Sequence, residues 1–263
     1  WVKVWPVAIV AAMIVAARDR WRVLTTAVIV SLIITVAALL FGSGANVLSF
    51  VTQQTGRGLQ VESPVSTIWL WQAFGGVPGT MVYYDQQLLT WQVTGNGTGM
   101  ASVLMTPIMG LVVVAVALVA VIALRRGAQA HIMMAPLSLA LVSALIAFNK
   151  VGSPQFIAWF AVPIVLGLTT SRPGHPGWFT VPAVIGAMTA ALTQVIYPYL
   201  YGWLIGLHPL MLAVLTARNL LVFTLLGWAI NTIWEMGREA LSVEEAVMAK
   251  ATPAEVWPLV SER

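Results

Sequence analysis

The sequence predicts an all-α polytopic membrane protein, a bundle of about seven transmembrane helices. Hydrophobic residues make up 59% of the 263 residues and charged residues only 8%, whereas about 25% of the residues in a soluble domain are charged. Seven apolar stretches approach the roughly 20 residues that a helix needs to cross a bilayer. These stretches are residues 2–17, 23–42, 101–124, 131–148, 156–171, 178–200 and 209–234.

The basic residues predict how this bundle is oriented. Short loops rich in Lys and Arg stay on the cytoplasmic side of a membrane. Arginines follow the first, third, fifth and seventh stretches, which all end on the same side. They are Arg18, Arg20, Arg22, Arg125, Arg126, Arg172 and Arg238. We therefore expect a multi-pass protein of the cell membrane whose N-terminal end lies outside.

The two ends of the chain carry further expectations. The bundle is predicted to occupy residues 1–236, followed by a cytoplasmic tail of residues 237–263. The tail contains LSVEEAVMAKA (residues 241–251), whose amphipathic pattern is typical of a surface helix rather than of a domain. The chain opens with Trp1 directly on an apolar stretch, without an initiator Met or a signal peptide. We therefore expect it to begin inside a longer protein.

The connection between the second and third stretches, residues 43–100, is too long for a passive link. This outer loop contains SPVSTIWLWQAFGG (residues 63–76), which is too short to span and predicts a re-entrant or interfacial helix. The aromatic and β-branched residues that follow, 80–99, end in Gly and Asn and predict a short hairpin on the membrane surface. The loop is therefore expected to be ordered.

Composition excludes several classes of function. The formal net charge is +4, but the 13 basic residues are spread singly or in pairs between apolar stretches. They form no basic face for nucleic acid. The chain has no Cys and only three scattered His residues, so we expect no disulfide, thiol chemistry or metal site. No cofactor is predicted.

Four basic residues depart from the positive-inside pattern. They are Lys3, Arg57 and Lys150 outside, and Arg218 within the last stretch. At about 1.5 Å per residue from Pro209, Arg218 would lie roughly 13 Å deep. A charge there costs at least ~2.5–3.5 kcal/mol, so it should face protein, a wet cavity or an anion. Structural interpretations stay open: helix carbonyls or a neighbouring span for Arg218, an interfacial anchor for Lys3, and solvated loop charges for the other two.

Two of these cations have unusual polar neighbours. Arg57 lies between Gly56 and Gly58, whose backbone permits close approach of a ligand. Lys150 lies in the turn FNKVGSPQF (residues 148–156), which contains amide and hydroxyl groups and could dip into a cavity. Together the four cations suit an anionic lipid headgroup, because guanidinium groups bind phosphate bidentately.

Four segments of the chain form a distinctive combination. They are VKVWP (residues 2–6), GRGLQVES (56–63), NKVGSPQF (149–156) and ARN (217–219). With these segments the sequence resembles the C-terminal portion of glycosyltransferase family 87, the polyprenol-phosphate-mannose-dependent mannosyltransferases with the C-type glycosyltransferase fold. The resemblance implies transfer of a hexose, mannose in the family, from a polyprenyl phosphate to a lipid-linked or cell-envelope glycan acceptor on the outer face.

The resemblance also implies roles for individual residues. A polyprenyl-phosphate sugar has a phosphate leaving group, so the protein must neutralise that anion while a base deprotonates the acceptor hydroxyl. The base would be an acidic residue in the first outer loop of such an enzyme, upstream of Trp1, so the catalytic residue is unknown. The residues predicted to bind the donor phosphate are Arg57, Lys150 and Arg218. Those predicted to bind the sugar or the acceptor are Lys3, Gln60, Glu62, Asn149 and Gln155.

Glu62 and Asp85 are the carboxylates that the predicted topology places outside. Either could orient the sugar or the acceptor, and neither is expected to be the base. If Glu62 instead pairs with Arg57, its role is structural. No residue distinguishes mannose from arabinose or glucose.

Two other functions fit part of the pattern. A transporter or flippase of lipid-linked sugars would also place polar groups at membrane depth. Against it, the charges cluster outside, no internal repeat is visible, and a long ordered loop suits an active-site cover. A non-catalytic scaffold would leave Arg218 and the Arg57 segment unexplained. The sequence therefore predicts a membrane hexosyltransferase, with the flippase as the alternative.

Overall fold

The computed structural model describes residues 6–17, 19–44 and 57–251. The chain is mostly helical, as predicted. The helices are α1 (Pro6–Ala16), α2 (Arg20–Leu40), α3 (Thr67–Phe74), α4 (Thr98–Arg125), α5 (Ala130–Ala147), α6 (Ala161–Thr169), α7 (Thr180–Ile196), α8 (Tyr201–Ile205) and α9 (Pro209–Ala251), with short 3₁₀ helices at Pro64–Ser66 and Pro154–Phe160.

Helix α5 forms the centre of the bundle. It is apolar on all sides and most of its residues are buried, which is the pattern of a helix surrounded by other helices. Helices α1, α4, α6 and α9 pack around it. By contrast, no residue of α2 is buried, so its apolar surface is available to lipid.

Four of the described helices are long and apolar enough to cross a membrane: α2, α4, α5 and α9. The other three predicted stretches also contain apolar helices, but these have only 10–17 residues, fewer than the roughly 20 that a span usually needs. The structure therefore confirms a helical membrane protein, while the number of seven spans stays a prediction.

Helix α9 differs from the sequence prediction at its C-terminal end. The predicted boundary at residue 237 falls inside the helix, which continues unbroken to Ala251. Residues 241–251 thus extend the last helix, and they contain no Gly or Pro that would interrupt it. Their place on the cytoplasmic surface stays a prediction. Helix α9 packs closely on α4 at Gly237. A Cβ atom at this position would lie 2.9 Å from Ala123 Cα and Cβ.

Residues 57–97, here called the loop layer, contain a small antiparallel sheet of β1 (Leu59–Gln60), β2 (Met81–Asp85) and β3 (Thr90–Thr94), in the order β1-β3-β2. The β2–β3 hairpin is present as predicted, and its position on the membrane surface stays a prediction. Strand β1 was not predicted, and the sheet makes the chain not purely α-helical. Helix α3 forms in the predicted segment; its re-entrant or interfacial position stays a prediction. Apolar side chains of this layer pack on α8 and the first turns of α9.

Candidate functional site

The loop layer is tied to the bundle through Arg218. The Arg218 guanidinium donates from Nη1 to the backbone carbonyl of Glu62 at 3.0 Å and to Asn219 Oδ1 at 2.6 Å. Asn219 in turn donates to Thr67 Oγ1 at 2.9 Å. Trp71 Nε1 adds a hydrogen bond to Thr216 Oγ1 at 2.9 Å. The start of α9 is therefore covered by loop backbone.

Arg218 faces the protein interior, one of the alternatives that its sequence position left open. Its exposure is only 3%, and its Nε is buried without a hydrogen-bond partner. The depth of about 13 Å stays a prediction, because α9 has 43 residues and is about 65 Å long, more than twice the hydrocarbon core of about 30 Å. The loop layer covers Arg218 and isolates its charge from solvent.

The turn between α5 and the following 3₁₀ helix packs directly against the loop layer. The Lys150 carbonyl accepts a hydrogen bond from Gln60 N at 3.0 Å. Gly152 lies so close that a Cβ atom there would be 2.3 Å from the carbonyl carbon of Glu62. The NKVGSPQF and GRGLQVES segments, which are far apart in sequence, are therefore in contact.

Two of the predicted phosphate ligands, Arg57 and Lys150, lie close enough to repel each other. Lys150 is buried, and this burial lowers the pKa of its ammonium group, with the Arg57 charge lowering it further. Arg57 is half-buried and its Nε, like that of Arg218, is buried without a hydrogen-bond partner. Two like charges held together with an unused donor are a favourable environment for an anion.

A cleft of about 550 Å³ opens between the loop layer, the turn after α5 and the segment after α7. Three of the residues predicted to bind sugar or acceptor line it: Gln60, Glu62 and Gln155. Its volume lies within the roughly 300–1,000 Å³ of small-molecule sites.

Arg57, Lys150 and Arg218 do not line this cleft, but Glu62, which does, interacts with Arg218. Burial raises the pKa of its carboxyl group, while the Arg218 charge and a hydrogen bond from Tyr201 oppose that shift. The pKa of the Tyr201 hydroxyl is raised by burial and by Glu62, so Tyr201 stays a hydrogen-bond donor. The arrangement fixes one carboxyl group at the cleft with a tyrosine oriented toward it.

Other predicted residues lie elsewhere or are engaged. Lys3 lies outside the described residues. Asn149 Oδ1 accepts a hydrogen bond from Val151 N at 2.9 Å, and so stabilises the turn. Asp85 caps the hairpin, since its Oδ1 accepts from Gln87 N and Leu88 N. The side-chain oxygens of Asn149 and Asp85 therefore already serve local structure, which weakens the case for either as a substrate ligand.

Sequence analysis missed the aromatic lining of the cleft, formed by Tyr84, Trp91, Tyr197 and Tyr201. The first two were assigned only to a hairpin on the membrane surface, and Tyr197 to the end of a span. The cluster of tyrosines in YPYLY (residues 197–201) was a usable signal, because Tyr concentrates where an apolar surface meets a polar one.

A second polar cluster lies further along α9. Arg172 Nη2 donates to both carboxylate oxygens of Glu239 at 2.9 Å, and the guanidinium lies 5.7 Å from the centre of the Trp178 ring. Arg126 lies over Trp234 in the same part of α9. These predicted cytoplasmic arginines are therefore grouped together and engaged by protein side chains.

Comparison with protein-family models, curated proteins and solved structures finds no match to this chain. The resemblance to glycosyltransferase family 87 therefore stays a prediction. Among residues 6–17, 19–44 and 57–251, no three His, Asp or Glu side chains come together in a group that could hold a metal ion.

Proposed function

We propose that this protein is a membrane hexosyltransferase that uses a polyprenyl-phosphate sugar as donor. The donor sugar, mannose by resemblance, is transferred to a lipid-linked or cell-envelope glycan at the outer face of the cell membrane. The observation that carries the proposal is the pair of buried, unpartnered Nε donors on Arg57 and Arg218. Leaving such a donor unsatisfied costs about 1–3 kcal/mol, so an anionic ligand has a ready partner there.

The charges around these donors favour phosphate. The hydrogen bonds of Arg218 go to neutral oxygens of Glu62 and Asn219, and the Glu62 carboxyl group is the acidic group that interacts with its charge. Arg57 and Lys150 add two further cations beside the same loop backbone. A phosphate monoester or diester can accept bidentate hydrogen bonds from a guanidinium group while balancing this charge.

The chemistry assigns separate tasks to the cations and the cleft. In the transfer, the bond between the sugar C1 and the phosphate oxygen breaks, and a new bond forms between C1 and the acceptor hydroxyl oxygen. Arg57, Lys150 and Arg218 stabilise the negative charge that stays on the polyprenyl phosphate. Gln60, Glu62 and Gln155 bind the sugar or acceptor beside them. The proton of the acceptor hydroxyl goes to a general base that the proposal does not place among the described residues.

The proposal is tested by transfer of labelled sugar from a polyprenyl-phosphate hexose in proteoliposomes that contain the full-length protein. We expect Arg57→Ala and Arg218→Ala each to lower transfer at least about 100-fold, with normal membrane insertion. The matched control is Arg125→Ala, because Arg125 is exposed at the other end of α4. Unchanged transfer in both site variants would remove these arginines from the site.

The same vesicles separate the enzyme from the flippase alternative. A transferase forms a glycosidic product that depends on an added acceptor. Movement of labelled lipid-linked sugar across the bilayer without any such product would favour transport and contradict the proposed reaction.

A further inference from the structure

The cleft beside Glu62 has aromatic side chains on two walls. Tyr84 and Trp91 are directly paired across β2 and β3, and their ring centres are 5.2 Å apart with a tilt of 59°. Tyr197 and Tyr201 form a second pair, also 5.2 Å apart, on the wall that follows α7. Tyr84 and Tyr197 are more than 40% exposed. Trp91 and Tyr201 are partly buried and also pack against the apolar cluster beneath the loop layer, so each wall combines one anchored ring with one exposed ring.

Polar groups lie between and beside these rings. The Glu62 carboxyl group is held by the hydrogen bond from Tyr201, Gln155 is exposed on the wall formed by the turn after α5, and Ser153 lies next to it. A carboxylate, an amide and a hydroxyl group next to aromatic faces form an amphipathic site. Such a site matches a ligand that has an apolar face and a rim of hydrogen-bonding groups.

We infer that this cleft binds a pyranose ring of the acceptor glycan, stacked on the Trp91–Tyr84 pair with its hydroxyl groups directed to Glu62 and Gln155. A pyranose has axial C–H groups on one face and hydroxyl groups around its edge, which is the complement of these walls. The assignment of the bound sugar to the acceptor rests on the proposed function. Binding of a sugar ring in the cleft does not require any transfer reaction.

Charge distinguishes this ligand from the other class that aromatic sites accept. Aromatic rings with a carboxylate also bind quaternary ammonium groups. Here, however, Arg218 contacts the carbonyl of Glu62, and Lys150 and Arg57 lie beside the same segment. The Arg218 charge, which acts on the Glu62 carboxyl group, disfavours a cationic ligand there by like-charge repulsion. A neutral polyhydroxylated ring meets no such repulsion.

The test is saturation-transfer NMR on the protein in phospholipid nanodiscs free of glycolipid, with methyl α-mannoside and an α-mannobiose as probes. We expect binding to the wild type and at least about tenfold weaker binding to Trp91→Ala, the loss expected for one stacked ring. Trp91→Phe keeps an aromatic face and should retain binding within about threefold. Gln155→Ala should weaken binding without a change in thermal stability, because Gln155 is exposed.

The matched control is Trp203→Ala, since Trp203 is an exposed tryptophan that does not line the cleft. The inference is overturned if neither glycoside binds, if Trp203→Ala loses as much affinity as Trp91→Ala, or if choline binds in place of the sugar. Because no donor is present, these results do not depend on catalysis. Sugar binding without transfer would contradict the proposed function alone. If transfer occurs and the acceptor KM is unchanged in Trp91→Ala and Gln155→Ala, this inference alone is contradicted.

Discussion

Two arginines on or against α9 have opposite surroundings. Arg172 gives its hydrogen bonds to the Glu239 carboxylate and lies over Trp178, so its charge is balanced within the protein. Arg218 gives its hydrogen bonds to neutral oxygens and retains a buried, unpartnered Nε. Arg218 and Glu239 are about 30 Å apart along the helix, which is close to the thickness of a bilayer core.

We interpret Arg172 as a structural charge and propose that Arg218 binds an anion. A buried cation with a directly bound carboxylate is already balanced, whereas the hydrogen bonds of Arg218 go to neutral oxygens and the Glu62 carboxyl group acts on it without a direct ion pair. Arg57 and Lys150 interact with each other and belong to the two segments that meet at Gln60 and Glu62.

The largest effect is expected from removing the Arg218 charge. Arg218→Met should lower sugar transfer at least about 100-fold, because the phosphate loses its buried guanidinium. Arg172→Met should leave transfer within about threefold and lower the free energy of unfolding by about 1 kcal/mol, since its partner Glu239 is 50% exposed and can be hydrated. Transfer kinetics measure the loss of activity, and thermal unfolding in nanodiscs measures the change in stability.

Arg218→Lys provides the control for misfolding. It keeps the charge but loses the planar fork, so it should fold normally and still transfer poorly. Equal losses of transfer in the Arg172 and Arg218 methionine variants would contradict the distinction between the two sites.

The next effect concerns the contact that assembles the site. Gly152→Ala should destabilise the docked loop layer by about 1–3 kcal/mol, the usual cost of overpacking, because the new Cβ meets Glu62 backbone that cannot move aside. Gly58→Ala should cost less, since it meets the side-chain amide of Gln92 rather than backbone. Gly202→Ala, with no atom within 4 Å, is the neutral control. Limited proteolysis within residues 57–97 measures undocking; equal protection of all three variants would refute the close contact.

A smaller effect is expected from pH. Because burial and Arg57 lower the pKa of Lys150, its ammonium group loses its proton at a lower pH than an ordinary lysine. Affinity for a prenyl phosphate should therefore be full below this pKa and fall as the pH rises through it. In Lys150→Arg the charge persists at alkaline pH, so titration should show a flatter curve. Superimposable curves would exclude Lys150 from the anion site.

The smallest effect is expected at Asp85, which the sequence left open as a sugar ligand. Its carboxylate caps the hairpin and accepts a hydrogen bond from Gln92. Asp85→Asn keeps one acceptor oxygen, so the free energy of unfolding should fall by about 1 kcal/mol or less. The acceptor KM should not change, and a large increase would return Asp85 to the site.

The sequence predicted the elements of this structure better than their side-chain partners. Apolar stretches and the hairpin follow from local patterns, and the unusual cations identified the segments that meet at Glu62. The partners of Asn149 and Asp85 depend on turn geometry, which a residue list does not show. Tyr197 and Tyr201 become cleft walls only because α7 ends beside the loop layer. The close approach of Gly237 to Ala123 depends on how α4 and α9 pack, which the local sequence does not show.

The central claim is that Arg57 and Arg218, whose Nε atoms have no hydrogen-bond partner, hold a lipid phosphate. The most direct measurement is the affinity of the protein in nanodiscs for a short prenyl phosphate and for the matching prenyl alcohol. We predict that the phosphate binds at least about tenfold more tightly, that Arg218→Met abolishes this preference, and that Arg172→Met retains it. Equal affinity of the wild type for both lipids, or an unchanged preference in Arg218→Met, would contradict the claim.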